Sequence, residues 1–232
     1  MSSILLDLMV GSAAKQAEYT ALKFGKSKEQ KQYIDFFAKL AGVKTGCLSK
    51  VKSKMTVQEY ENKVMERCNS LNVKQRAIQR IGIDESEISE INPILLHAFD
   101  FDDKDALVGI KDGVAVSSLY EVTWLFFSQT EIYAYSLQFD MTSDEIFEQT
   151  REYFYQDIVS FETYNHLVEN IRKKIGCGCF GKEKPIKDNY VVDSFKLTVP
   201  GDSFSVSMRG SGNQFESIMA AKAMLREKKF MK

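Results

Sequence analysis

The residues most capable of chemistry are the two cysteines of Cys177-Gly178-Cys179. Glycines and a nearby proline surround them, and this composition predicts a loop. Cations near a thiolate stabilise it, so these cysteines could react or bind a soft metal. A structural zinc site needs four ligands, which Cys47, Cys68, His97 or His166 would have to complete from distant positions. The alternative, which we favour, is a flexible loop without chemistry.

The loop around these cysteines is also basic. Its candidate binding residues are Arg172, Lys173, Lys174, Phe180, Lys182 and Lys184. Each basic side chain near an anionic membrane contributes ~1 kcal/mol of attraction, and Phe180 could insert at such a surface. A solvated hairpin tip is the competing interpretation. The loop has no aromatic stacking platform beside it, which argues against nucleic acid as a partner.

The remaining candidates for catalysis form no recognisable pattern. We expect His97 to pack at an edge and His166 to lie at the surface, and neither has a nucleophile-elbow or protease-like context. Gly210-Ser211-Gly212 lacks the lysine of a phosphate-binding loop, and we interpret it as a helix-capping turn. The carboxylate pairs have no spacing that singles out an acid and a base. The sequence therefore predicts a protein that is not an enzyme and has no cofactor.

The composition is that of a folded chain without a strong overall charge. Of its 232 residues 44% are hydrophobic, and the net charge is −1, so we expect one large or two small globular domains. Near-neutrality gives no field that would steer nucleic acid. The apolar run at residues 4–10 contains Asp7 and follows no basic residue, unlike a secretory signal. With no sign of export, we expect reduced cysteines and a cytoplasmic protein.

Residues 1–92 have the pattern of a helical region. Thr56 and Glu59 have the spacing of a capping box, in which each side chain satisfies a backbone amide at a helix start. Apolar residues then follow at helical spacing. The next helix should end at Gly82, since glycine is the usual left-handed cap. Asn92-Pro93 marks the boundary, because the residue before proline avoids the helical conformation.

Residues 93–232 are rich in strand-forming residues. Residues 117–139 predict two strands with a turn at 128–131, and residues 190–199 and 204–208 predict another pair. Thr142 and Glu145 form a second capping-box pattern, which predicts a short helix from about Ser143. Residues 156–164 predict a strand. The last element is a helix over residues 213–229, whose predicted apolar face comprises Phe215, Ile218, Met219, Ala221 and Leu225.

This order of strands and one closing helix resembles the pleckstrin-homology-like (PH-like) fold, and the likeness covers residues 93–229. Three stretches carry it, namely residues 120–127, residues 155–160 and the closing helix. The whole chain also resembles a bacterial group in which a helical part precedes such a domain, and which has no established activity. The expected fold is therefore α+β, with a helical region at 1–92 and, at 93–232, an antiparallel PH-like β-barrel capped by a C-terminal α-helix.

The resemblance implies a binding function, either to phospholipid headgroups or to proteins and peptides. Headgroup-binding members carry several basic residues around the first hairpin, whereas residues 107–113 contain only Lys111, beside Asp112. We therefore expect a non-catalytic binding or scaffold protein that recognises a protein or peptide. A cysteine-centred metal or redox protein and a peripheral membrane-binding module are the alternatives. The oligomeric state is not predicted.

Overall fold

The computed structural model describes residues 12–43, 51–84, 88, 91–103, 105–174, 184–209 and 212–230. They form an α+β structure with antiparallel sheets and a C-terminal helix, as the sequence predicts. The described helices before Pro93 are α1 (Ser12–Lys23), α2 (Lys28–Leu40), α3 (Val57–Ser70) and α4 (Val73–Ile81).

The helix boundaries follow from local side-chain bonds. At the start of α3 the Glu59 amide donates to the Thr56 hydroxyl, and the Thr56 amide donates to the Glu59 carboxylate, which confirms the predicted capping box. Ser27 and Gln30 form a second such box at the start of α2. Helix α4 ends at Gly82, whose φ of 78° is left-handed, as predicted.

The strands form three antiparallel sheets. The first has the order β1-β4-β5-β6, and a separate hairpin consists of β2 and β3. Their bounds are β1 Ile94–Phe99, β2 Val108–Lys111, β3 Val114–Ser117, β4 Leu119–Phe127, β5 Glu131–Asp140 and β6 Ile146–Phe154. The predicted turn between β4 and β5 is confirmed.

The third sheet and the last helix complete the fold. A 3₁₀ turn at Tyr155–Asp157 leads into β7 (Ser160–Lys174), β8 (Lys184–Val199) and β9 (Asp202–Met208), and α5 spans Gly212–Phe230. After β9, the Arg209 amide donates to the His97 carbonyl of β1 at 3.1 Å. The described strands otherwise remain in separate sheets, so the expectation of a closed barrel is wrong.

Both faces of the first sheet are buried. Successive residues of a strand point to opposite sides, so each strand contributes side chains to two different clusters. On β4, Tyr120, Val122 and Phe126 belong to a cluster shared with helices α2, α3 and α4. Leu125 and Phe127 belong to a second cluster, which β8, β9 and α5 share. The sheet thus separates a helical layer from a layer made of the third sheet and α5.

The helix expected from about Ser143 is not present. Residues 142–145 form the turn into β6, which pairs with β5 from Ile146 to Phe154. The Thr142 hydroxyl donates to the Asp140 carboxylate rather than capping a helix. Arg67 of α3 donates to the carbonyl oxygens of Asp140 and Ser143, at 2.8 and 3.0 Å. These bonds hold the turn open and override the local helical pattern.

Candidate functional site

Part of the predicted basic loop belongs to strands in the structure. Four of its six residues lie on paired strands, because the β7–β8 ladder extends into the predicted loop. Arg172 pairs with Ile186, Lys173 with Pro185 and Lys174 with Lys184. Cys177, Cys179, Phe180 and Lys182 lie outside the described residues, so their roles stay predictions.

The two histidines and one described cysteine lie apart from one another. His97 is half-buried on β1, and its Nδ1 lies 2.6 Å from the Tyr120 hydroxyl oxygen. Burial lowers the pKa of His97, and the Arg209 cation lowers it further. Burial also raises the pKa of the Cys68 thiol, which disfavours the reactive thiolate. Within the described parts of the chain, no group of three His, Cys, Asp or Glu residues is placed to hold a metal ion.

His166 is flanked by the residue types of a hydrolase triad. Its Nδ1 lies 3.4 Å from Ser194 Oγ, and its Nε2 lies 3.8 Å from Asp102 Oδ2. Both distances exceed the ~2.6–3.2 Å of a nucleophile–base–orienter relay. Ser194 is also only 2% exposed and lies inside β8, out of reach of a substrate. These three side chains therefore do not form the close hydrogen-bonded relay of a hydrolase triad in this structure.

A cavity lies where the third sheet emerges from the core. Asn165, Asp193 and Met208 are directly opposite one another on β7, β8 and β9, so they form one row across the sheet. The preceding row on the same face contains Phe195 and Val206, which are buried in the second core cluster. The cavity begins at the first row beyond that core.

The start of α5 forms the wall of this cavity. The lining residues are Thr163, Tyr164, Asn165, Asp193, Met208, Arg209, Gln214 and Phe215, and the volume is about 270 Å³. We call this feature the β7–α5 groove. Gln214 is only 8% exposed, and its buried Oε1 has no hydrogen-bond partner among the described residues.

Apolar side chains surround the groove. Leu167 and Val191 form the next row of the sheet on the same face, and they are 52% and 64% exposed. Phe215 and Met219 on α5 are 55% and 46% exposed. Phe215 and Met219 belong to the predicted apolar face of α5 but are exposed, whereas Ile218, Ala221 and Leu225 of that face are buried. The apolar face of α5 is therefore only partly covered.

The cations at the groove already have partners. The Arg209 guanidinium lies 2.7 Å from the Glu61 carboxylate of α3. The Lys222 ammonium donates to the Thr163 hydroxyl at 3.0 Å, and burial lowers the pKa of Lys222, with a further contribution from Arg226. Asp193, by contrast, is an exposed carboxylate on the groove floor.

The β7 strand borders the groove and lies at an end of its sheet. Its strand neighbour in the described structure is β8. An edge strand has unpaired backbone groups that can pair with another extended chain. Sequence reasoning missed this site, because its residues come from four separate elements and share no motif. The one available signal was the alternation of residues 163–167, which places Thr163, Asn165 and Leu167 on one face.

Comparisons of the chain with known protein families, with curated proteins and with solved structures found no match. Of the helices that the structure describes, none has the length and apolar character needed to cross a membrane.

Proposed function

We propose that this protein is a non-catalytic binding protein that recognises an extended peptide segment of a partner protein in the β7–α5 groove. The observation that carries the proposal is the Gln214 carbonyl oxygen, which is buried beside an open cavity and has no hydrogen-bond partner among the described residues. Leaving such a group unpaired costs ~1–3 kcal/mol, and a partner N–H would remove that cost. Buried polar atoms without partners are uncommon in folded proteins.

The size and surroundings of the groove favour a peptide. Small-molecule pockets commonly measure about 300–1,000 Å³ and enclose most of their ligand. At about 270 Å³ and open on one side, the groove has room for one or two side chains. The edge strand β7 supplies backbone groups for an added strand, a common mode of peptide recognition. The exposed rim formed by Leu167, Val191, Phe215 and Met219 supplies apolar contact area.

The order of antiparallel strands followed by one C-terminal helix also supports the proposal. It is the order on which the likeness to PH-like domains rests, and peptide binding is a common use of those domains. We propose that residues 93–232 form an opened variant of that fold.

The proposal is tested by selecting binders from a displayed library of random peptides. Selected peptides should bind the purified protein and lose binding when the groove is filled by Asn165→Trp, an exposed position on its floor. The matched control is Val114→Trp, which adds the same side chain at a position 44% exposed on the β2–β3 hairpin. Circular dichroism would verify that both variants fold. Failure to select any peptide, or equal binding by both variants, would refute the proposed function.

A further inference from the structure

The polar residues of the groove floor, Asp193 and Gln214, bear on which peptide side chain could bind there. We propose that the β7–α5 groove selects peptides with a basic residue two positions away from an apolar residue, an inference that rests on the proposed function. The basic side chain would meet Asp193 and the Gln214 carbonyl oxygen. The apolar side chain would cover the exposed pair Leu167 and Val191.

The acceptors of the floor favour a cation. The Asp193 carboxylate and Gln214 Oε1 both accept hydrogen bonds, and the Gln214 oxygen lacks a donor among the described residues. Lys and Arg side chains have donors only, and a hydrogen bond to a charged group is stronger than one between neutral groups. An acidic side chain would bring a second carboxylate next to Asp193. The apolar stem of an Arg or Lys can lie against the exposed ring of Phe215.

In the described structure, three positive features lie at or near the groove. Arg209 forms an ion pair with Glu61, and the Lys222 ammonium, which is outside the lining residues, donates to the Thr163 hydroxyl. The third is the positive end of the α5 helix dipole. Of the described lining residues, Asp193 is the exposed carboxylate available to a peptide side chain.

The spacing of the two peptide residues follows from the rows of the sheet. Asn165 pairs with Asp193, and Leu167 pairs with Val191, so the polar and apolar rows are two residues apart on each strand. A peptide that runs along β7 rises ~3.3 Å per residue and alternates its side chains between faces. Its residues at positions i and i+2 therefore meet the two rows, whereas neighbouring residues point to opposite sides.

The test uses a short labelled peptide, acetyl-Ser-Thr-Arg-Thr-Leu-Thr-Ser-amide, and fluorescence anisotropy. In matched peptides, citrulline replaces Arg to remove the charge with little change of shape, Glu replaces it to invert the charge, or Arg and Leu are made adjacent. We expect each change to weaken binding by about tenfold or more, the loss of one charged hydrogen bond. Asp193→Asn should remove the preference for Arg over citrulline. Nuclear magnetic resonance shifts should change at Asn165, Asp193 and Gln214.

Several results would overturn this inference. They are equal affinity for the Arg and citrulline peptides, tighter binding of the Glu peptide, indifference to spacing, and no shift at the groove residues. The selected peptides of the previous section separate this failure from failure of the proposed function. If they bind in an Asn165→Trp-sensitive manner but lack the basic and apolar pair, peptide binding stands and the selectivity is wrong.

Discussion

Glu121 should make the stability of the protein depend on pH. It lies on β4, opposite Ala98 of β1 and Gln138 of β5, in the interior of the first sheet. Burial, together with the nearby Asp100 carboxylate, raises the pKa of Glu121 from 4.5 to about 7, against a lowering effect of the Ser136 hydroxyl. Burial also raises the pKa of Asp100, which accepts a hydrogen bond from Gln138 at 2.5 Å.

The sign of the effect follows from proton binding. Between pH 4.5 and about 7 the folded protein holds a proton on Glu121 that the unfolded chain releases. The free energy of unfolding therefore falls as the pH rises through this window and stays low above it. At about 1.4 kcal/mol per pKa unit, the full loss is roughly 3 kcal/mol. Replacing Glu121 by Gln removes the charge while keeping a hydrogen-bonding side chain of similar size.

Urea unfolding followed by the fluorescence of Trp124 would measure the difference between Glu121→Gln and the wild type. The variant should match the wild type at about pH 4 and be more stable by roughly 3 kcal/mol at about pH 8. Glu152 is an exposed glutamate on β6 and serves as the control. Glu152→Gln should change stability by less than about 0.5 kcal/mol at either pH. Equal stability of Glu121→Gln and the wild type at the higher pH, or the same increment at both values, would refute the argument.

Substitutions at three further positions test the packing of the helical layer, each by urea unfolding. Thr56→Ala should cost about 1 kcal/mol through loss of the α3 cap, whereas Thr56→Ser should cost little. Tyr60→Phe should cost about 1–2 kcal/mol, because the buried Tyr60 hydroxyl donates to the Ser117 carbonyl at 2.7 Å. Gly109→Ala should cost about 1–3 kcal/mol, since its new Cβ would lie 2.4 Å from Leu40 Cδ1. A neutral result in any of the three costly cases would contradict the corresponding contact.

Local patterns predicted the structure well where local bonds decide it. The spacing of Thr56 and Glu59 predicted the start of α3, because both reciprocal bonds form within four residues. Thr142 and Glu145 have the same spacing, yet β6 forms there instead. The deciding bonds come from Arg67, more than 70 residues earlier in the chain, and from the pairing of β6 with β5. Such distant contacts are not visible in a short sequence window.

The extent of a strand ladder is a second property that local patterns did not predict. Residues 190–199 have the composition of a strand, but β8 begins at Lys184 and pairs residue by residue with β7 as far as Lys174. Basic residues, glycines and a proline suggested a longer loop at this end. Backbone pairing, once in register, can continue through polar residues, because the hydrogen bonds do not depend on the side chains.

The β7–α5 groove also could not be predicted from local sequence patterns. The exposure of the residues at its edge nevertheless bears on the proposed function. Helical periodicity correctly placed Phe215, Ile218, Met219 and Leu225 on the apolar side of α5, but it could not show where the surface beneath them ends. In the first turn of α5, Phe215 is 55% exposed while the polar Gln214 next to it is 8% exposed. This reversal of the usual preferences is unfavourable for an isolated chain, and the buried Gln214 oxygen has no hydrogen-bond partner among the described residues. A partner that covers Phe215 and donates a hydrogen bond to Gln214 would reverse both costs at once, which is why this position carries the proposed function.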